Sequence, residues 1–154
     1  MDSGNIDISI VMVNYYSEQY TMDAIKSIIM HTSGVSYEII LVDNGSKGKE
    51  LVEFCVANGV KLISNDYNIG FARANNQGFE IASGKYTLIL NNDTVFWENT
   101  LRQLINFYET ENCEKLIGVK LMNSDMSYQN STFAVPTLRT FFLLFYLSIS
   151  FSQM

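Results

Sequence analysis

Short apolar runs alternate with amphipathic stretches through most of the chain, and this alternation limits the fold more than any other feature. These short runs, each read as a strand, lie at residues 8–13, 37–42, 60–64 and 85–90. The segments with helical spacing follow them, from residue 18 and at 49–58, 71–83 and 98–109. Strands that alternate with helices predict an α/β fold, with a mostly parallel sheet flanked by helices. A weaker run at 115–121 predicts a fifth strand.

The size and charge of the chain exclude several classes of protein. With 154 residues, of which 47% are hydrophobic and 17% charged, the chain can bury one sizeable core, and this excludes a disordered chain. A count of 10 Lys and Arg against 16 Asp and Glu gives a net charge of −6. No broad basic face is therefore available to neutralise a phosphate backbone, so no nucleic acid is expected as a partner.

The amino-terminal residues and the cysteines predict a cytoplasmic protein. The start, MDSGNIDIS, is polar and acidic and has no apolar segment of the kind that a secretory signal needs. Cys55 and Cys113 lie far apart without the spacing of metal ligands. We expect both to be buried thiols in a reducing compartment, with no disulfide between them.

Polar residues gather where the predicted strands end. These residues are Asn14 to Tyr16, Asp43 to Ser46, Asn65 to Asp66 and Asn91 to Asp93. Ligands of open α/β sheets bind outside the carboxyl ends of the strands, so a binding site is expected along this edge. Asp43 is suited to accept hydrogen bonds from a base or a ribose. The alternative is that Asp, Asn and Gly stand there only because they form turns.

The stretch LILNNDT, residues 88–94, passes abruptly from aliphatic side chains to two amides, a carboxylate and a hydroxyl. A turn explains Asn91 and Asn92 equally well, but it does not require the full series of oxygen ligands that ends in Asp93 and Thr94. Mg²⁺ and Mn²⁺ prefer such hard oxygen ligands. Asp93 is therefore the predicted metal ligand.

Four ordered segments resemble one known family. They are SIVMVNYYSE, EIILVDNGS, NDYNIGFARANNQGFEIASGKYTLILNNDT and IGVKLMNSDMSYQNS, within residues 8–136. Together they are similar to family 2 glycosyltransferases, nearest to the rhamnosyltransferase-like branch. The resemblance implies a Rossmann-like GT-A domain and inverting transfer from a nucleoside diphosphate sugar, of the dTDP-rhamnose or UDP-sugar type. It also implies a divalent metal, Mg²⁺ or Mn²⁺, and a glycan or lipid-linked acceptor in cell-surface polysaccharide synthesis.

The resemblance also assigns roles to single residues. Val13, Asn14 and Tyr15 match the loop that lines the base and ribose pocket, and Asp43 matches the acid that binds the base or ribose. Asn68, Gly70 and Phe71 match the loop that closes over the nucleotide. Asn91, Asn92 and Asp93 take the place of the Asp-x-Asp motif, with Asp93 facing the metal. Asn75 and Asn76 stand where many members read Arg-Asn and are also expected to bind the nucleotide sugar, and Arg73 lies near enough to supply the charge that Asn75 lacks.

The family places its general base in an acceptor-binding half, well beyond the Asp-x-Asp motif. This chain has no acidic residue after Asp125. We therefore expect residues 1–122 to form the nucleotide-sugar-binding domain and 123–154 to form a truncated start of the acceptor region, with the catalytic base absent. The alternative to an active transferase is an inactive nucleotide-sugar-binding module.

An apolar segment, 141–151, begins at Phe141 and ends at Phe151. It is too short to cross a bilayer, which takes about 20 residues of helix. It is interpreted either as a helix that packs on the acceptor half or as a peripheral membrane contact beside Arg139.

Overall fold

A computed structural model describes residues 5–111 and 116–130 of the chain. These two parts belong to two compact units, residues 1–113 and 114–154, which are treated separately below. In the first unit, strands and helices alternate in the order β1 (Ile8–Asn14), α1 (Glu18–His31), β2 (Tyr37–Asp43), α2 (Lys49–Ala57), β3 (Lys61–Ser64), α3 (Phe71–Ile81), β4 (Tyr86–Ile89) and α4 (Thr100–Glu111). The predicted α/β alternation is confirmed.

The four strands form one parallel sheet in the order β3-β2-β1-β4. The central strands β1 and β2 pair over their full length, from Ile8 opposite Tyr37 to Asn14 opposite Asp43. Since all four strands run in the same direction, their carboxyl ends share one edge of the sheet. Each helix that leads from one strand to the next begins near this edge and returns along a face of the sheet.

Helices cover both faces of the sheet. Ile8, Ile10 and Met12 of β1 pack in a cluster with buried residues of α1, α2 and α4, such as Ile25, Leu51 and Leu101. On the other face, Val13 and Val42 pack against Ala74 of α3. A strand buried on both faces reads as a continuous apolar run, which explains why β1 and β2 are easy to recognise in the sequence.

The predicted fifth strand at 115–121 is wrong for the residues that the structure describes. Residues 116–120 form no regular structure, and Leu116 is fully exposed. Leu121–Met122 instead forms a short strand, β5, which pairs antiparallel with Tyr128–Gln129, β6. The turn between them is closed by hydrogen bonds from Asn123 N to Ser127 O (2.9 Å) and from Met126 N to Asn123 O (2.9 Å). Of the described residues of the predicted strand, Leu121 alone lies in a strand, and it pairs with Gln129 of this local hairpin.

Several sequence predictions concern residues outside the described ranges. Cys113, the apolar segment from Phe141 to Phe151 and most of the expected acceptor region are among them. Cys55 is buried as expected, and burial together with the charge of Asp43 raises the pKa of its thiol to about 11, which keeps it protonated. Across residues 5–111 and 116–130, no helix has both the length and the apolar character that crossing a membrane requires.

A buried carboxylate, Glu38 of β2, ties three elements together near the amino end of the strands. Its Oε1 accepts hydrogen bonds from Ser9 Oγ of β1 (2.6 Å) and from both the N–H (2.7 Å) and the hydroxyl (2.8 Å) of Ser83. Its Oε2 pairs with Lys61 Nζ of β3 at 2.5 Å. Burial alone raises the pKa of Glu38, but the hydrogen bonds from Lys61, Ser9 and Ser83 outweigh it and lower the pKa from 4.5 to about 2.

Glu38 should make the fold sensitive to acid. Because its pKa is lower in the folded chain, its stabilisation is complete above pH 4.5 and is lost as the pH falls from about 4.5 to about 2. The stabilisation lost is on the order of 3 kcal/mol. Urea unfolding between pH 6 and pH 3 should show a steep loss of stability for the unaltered chain and a flatter profile for Glu38→Gln. Parallel profiles for the two chains would contradict this assignment.

Candidate functional site

The structure brings the predicted strand-end residues together along the carboxyl edge of the sheet. Side-chain hydrogen bonds join Asn14 at the end of β1 to Asp43 at the end of β2 (2.9 Å), and Asn65 after β3 to Asn44 after β2 (3.2 Å). Asn92, in the loop after β4, bonds to the first turns of α1. The loops after all four strands are therefore connected by polar side chains, in two networks described in turn.

The first network is centred on Asn14, whose side chain is fully buried. Its Nδ2 donates to Asp43 Oδ1 (2.9 Å) and to Ser46 Oγ (3.2 Å), and its Oδ1 accepts from Thr21 Oγ1 (2.9 Å) and Ser17 Oγ (3.2 Å). An asparagine side chain has two N–H donors and two acceptor lone pairs. All four are occupied by groups of the protein, so the side chain positions the loops around it, and a contact between Asn14 and a nucleotide stays a prediction.

Asn92 extends this network to the loop after β4. Its Nδ2 donates to Ser17 Oγ (2.6 Å) and to Thr21 Oγ1 (2.8 Å), the same two hydroxyls that bond to Asn14. Both amide hydrogens are thus used to hold the loop against α1. The neighbouring residues Asn91 and Asp93 are exposed. Asn92 therefore fixes the backbone from which these two side chains project.

Asp43 is 2% exposed, and its carboxylate shapes the loop that follows it. Besides Asn14, Oδ1 accepts from Ser46 N (3.4 Å), and Oδ2 accepts from Lys47 N (2.8 Å). Gly45 in this loop has φ of +106°, and a Cβ there would lie 2.9 Å from backbone atoms of Tyr67, so no larger residue fits without movement. Binding of a base or a ribose by Asp43 stays a prediction.

The second network holds the loop before α3 onto the end of β2. Asn44 Nδ2 donates to Asn68 Oδ1 (2.8 Å), and Asn44 Oδ1 accepts from Ile69 N (3.0 Å). Asn65 and Gln77 exchange two hydrogen bonds, of 2.9 and 3.0 Å, between the end of β3 and α3. Sequence reasoning placed Asn68 in a loop that closes over a nucleotide but gave no role to Asn44 or Gln77, because nothing in their local sequence marks them as partners.

The amino terminus of α3 opens onto this edge. Gly70 is its N-cap, with φ of +92° and no side-chain cap, and its own N–H donates to Asn68 Oδ1 (2.9 Å). The N–H groups of the first turn, residues 71–73, lack intrahelical partners, as in any α-helix, and none has a hydrogen bond within the described ranges. Arg73 is exposed and forms no ion pair with any described residue. Such a terminus suits an anion.

Asn75 and Asn76 have different environments on α3. Asn76 is exposed, whereas Asn75 is 5% exposed and donates from Nδ2 to Phe71 O at 2.9 Å. The Oδ1 of Asn75 is buried and has no hydrogen-bond partner among the residues that the structure describes.

Two tyrosines extend from the loop after β1. The rings of Tyr15 and Tyr16 meet edge to face, with centroids 4.7 Å apart, and both are largely exposed. Tyr16 has φ of +50°, unusual for a bulky residue, and its N–H donates to Ser46 Oγ (2.7 Å). The loop is thus held in a strained conformation in which Tyr15 is 49% exposed.

The chemistry of the residues after β4 fits a divalent ion. A turn closed by a hydrogen bond from Thr94 N to Asn91 O (3.2 Å) presents the Asp93 carboxylate and the Asn91 amide to solvent. Within the described residues, no three His, Cys, Asp or Glu side chains cluster as metal ligands. Asp93 and Asn91 are the side chains here that could hold Mg²⁺ or Mn²⁺, and the remaining ligands would be phosphate oxygens and water.

Comparison with known proteins agrees with this arrangement. The chain matches the model of Glycosyl transferase family 2 over residues 9–149. The glycosyltransferase GlyG of Streptococcus pneumoniae serotype 4 is 31% identical over 133 residues, which cover 83% of this chain and 43% of GlyG. The minor teichoic acid biosynthesis protein GgaB of Bacillus subtilis is 33% identical over 113 residues, 70% of this chain and 12% of GgaB.

Solved structures show the same fold. The crystal structure of S. aureus TarS 1–349 in complex with UDP-GlcNAc aligns with 70% of this chain, with a TM-score of 0.62 and 20% identity, over 32% of the TarS chain. The chain thus spans less than half the length of each of these proteins. The four-stranded parallel sheet with helices on both faces is accordingly a GT-A-type α/β fold. With the family model covering residues 9–149, the chain belongs to glycosyl transferase family 2.

Proposed function

We propose that this chain binds a nucleoside diphosphate sugar at the carboxyl edge of its sheet and supplies the donor site of an inverting glycosyl transfer. The observation that carries the proposal is the amino terminus of α3, where uncapped N–H groups lie beside the exposed Arg73. A cation in the first turn of a helix is unfavourable with respect to the helix dipole. Its presence there is explained when an anion such as a diphosphate binds between them.

The proposal also assigns binding roles to other side chains at this edge of the sheet. Tyr15 offers an aromatic face to the base, and Asp43 holds the loop through which base and ribose are bound. Asp93 and Asn91 would hold Mg²⁺ or Mn²⁺ together with the diphosphate oxygens. When bound, such an ion offsets the negative charge that develops on the leaving diphosphate. The proposal gives none of the described residues the role of the general base.

The proposed substrates follow from the relatives and from the sequence. GgaB is named for teichoic acid biosynthesis, and TarS has been solved with UDP and UDP-GlcNAc. We extend from them a role in cell-surface glycan synthesis with a glycan or lipid-linked acceptor, in the cytoplasm at the inner face of the membrane. The motif NND and the segment GFARANN support the rhamnosyltransferase-like branch, and hence dTDP-rhamnose or a UDP-sugar as the donor.

Isothermal titration of the purified chain with UDP and with dTDP, each with and without Mn²⁺, tests the donor site. Binding of at least one nucleotide, tightened by the ion, is the expected result. A folded chain that binds neither nucleotide under either condition would overturn the proposal. Product formation from the donor that binds, with a lipid-linked glycan acceptor, separates a transferase from a module that only binds.

Arg73→Gln should weaken the binding of UDP about tenfold, since a hydrogen bond to a charged group contributes about 1.5–3 kcal/mol and 1.4 kcal/mol is tenfold. The loss should occur with and without Mn²⁺, and uridine, which has no diphosphate, should bind the variant and the unaltered chain equally. Arg102→Gln on α4 is the matched control, because Arg102 Nη1 donates to Gly34 O (2.7 Å), remote from the diphosphate. An equal loss for uridine and UDP would exclude a diphosphate contact.

A further inference from the structure

The buried Oδ1 of Asn75 is a polar atom that the fold leaves without a partner among the described residues. Its identity as the oxygen follows from the opposite atom of the amide, which lies 2.9 Å from the carbonyl oxygen of Phe71 and must therefore be the N–H₂ donor. The orphan group is thus a hydrogen-bond acceptor. A buried acceptor without a partner costs about 1–3 kcal/mol.

The fold does not need this amide for its own stability. The carbonyl of Phe71 lies four residues before Asn75 and is already the acceptor of the helical N–H(i)→O=C(i−4) ladder. The bond from Nδ2 is therefore an additional one. An apolar side chain of the same shape would fill the space without leaving an acceptor unpaired.

Asn75 lies one turn into α3, the helix whose amino terminus opens onto the candidate site. The bond to Phe71 O turns the amide back toward the first turn of α3, the end that lies at the carboxyl edge of the sheet. Asn75 and Gln77 are 200° apart at about 100° per residue, so they lie on opposite flanks of the helix. Gln77 bonds to Asn65 on the flank of β3, and Asn75 therefore lies on the flank of β1 and β4.

We propose that Asn75 Oδ1 accepts a hydrogen bond from a hydroxyl group of the bound nucleoside diphosphate sugar, on either its ribose or its transferred sugar. The inference rests on the proposed function and deepens it. Phosphate oxygens are acceptors and suit the N–H groups and Arg73 of the first turn, whereas an amide oxygen requires a donor. The amino-terminal end of α3 thus offers donors to the diphosphate and one acceptor to a neighbouring hydroxyl.

Asn75→Leu tests the inference, because the substitution keeps the approximate size of the side chain and removes only its polar atoms. The free energy of unfolding should stay the same or rise, while the affinity for the ligand falls about tenfold, as when one buried hydrogen bond of about 1.4 kcal/mol is lost. If Asn75 had only a structural role, its replacement would not lower the affinity while keeping or raising the free energy of unfolding. Asn75→Ala, a good helix former that also removes the acceptor, should show the same loss of affinity.

The ligands are UDP and UDP-GlcNAc, each titrated calorimetrically with Mn²⁺. An equal loss for both ligands identifies a ribose hydroxyl, and a loss confined to UDP-GlcNAc identifies a hydroxyl of the sugar. Asn106→Leu, the same change at an exposed position of α4, is the control and should leave both affinities unchanged.

If both Asn75 variants keep the affinity of the unaltered chain for every ligand that the unaltered chain binds, the inference is overturned and the proposed function stands. If the unaltered chain binds neither ligand, the proposed function fails and the inference fails with it.

Discussion

Replacing Asp93 by Asn should abolish the part of nucleotide binding that depends on Mn²⁺. Asp93 is the acidic residue of the exposed turn after β4, and within the described residues no cluster of three acidic, His or Cys side chains offers the ion another site. An amide at this position retains an oxygen but loses the charge that a hard cation prefers. In calorimetric titrations with UDP, the increase in affinity on adding Mn²⁺ should disappear in Asp93→Asn.

The expected change in the affinity of Asp93→Asn for UDP without metal makes the test specific. UDP is an anion, so removing a carboxylate next to it lowers electrostatic repulsion, and metal-free affinity should stay equal or rise slightly. Asp66→Asn is the matched control, since Asp66 follows β3 on the same edge, is exposed, and pairs only with Lys47 (3.0 Å) among the described residues. A variant at Asp93 that keeps its full response to Mn²⁺, or a control that loses it, would show that the ion binds elsewhere.

Most of the fold could be predicted because the residue pattern of its central strands fits only one kind of secondary structure. All seven residues of β1 are buried, and its apolar residues from Ile8 to Val13, interrupted only by Ser9, indicate a central parallel strand between helical patterns. Residues 116–120 differ, since Leu116 is exposed and the apolar positions are separated by Gly118. The pairing of the next residue, Leu121, is decided by the turn that brings it opposite Gln129, and the hydrophobic pattern carries little information about such a turn.

Less of the candidate site could be predicted, because its side chains are joined across long stretches of sequence. The motif at residues 91–93 is visible in the sequence. The hydrogen bonds of Asn92 are not, because its partners Ser17 and Thr21 precede it by more than 70 residues. The family resemblance treats Asn14 and Asn92 as members of a nucleotide pocket. Their hydrogen bonds show instead what their side chains do inside the protein, and a direct contact between either residue and a nucleotide stays a prediction.

Asn14→Leu should lower the free energy of unfolding by about 4 kcal/mol, because it removes four hydrogen bonds, two buried and two partly buried, that contribute about 1 kcal/mol each. Urea unfolding at pH 7 measures the change. Because the same side chain joins Asp43 to the hydroxyls that hold Asn92, the affinity for UDP with Mn²⁺ should fall as well. A variant with unchanged stability and lost affinity would instead identify Asn14 as a direct ligand contact.

Thr21→Val separates the network from the packing around it, because valine matches threonine in shape and lacks only the hydroxyl. Thr21 bonds to both Asn14 (2.9 Å) and Asn92 (2.8 Å), so its loss breaks one of the two hydroxyl bridges between the loops after β1 and β4, and Ser17 keeps the other. If that link matters, the effects of Thr21→Val and Asn14→Leu on stability will not add in the double variant, since each removes the same bond. Full additivity would mean that Asn14 stabilises the loops after β1 and β4 independently of each other. The loop after β4, which carries Asp93, would then be held in position only by the bonds between Asn92 and α1.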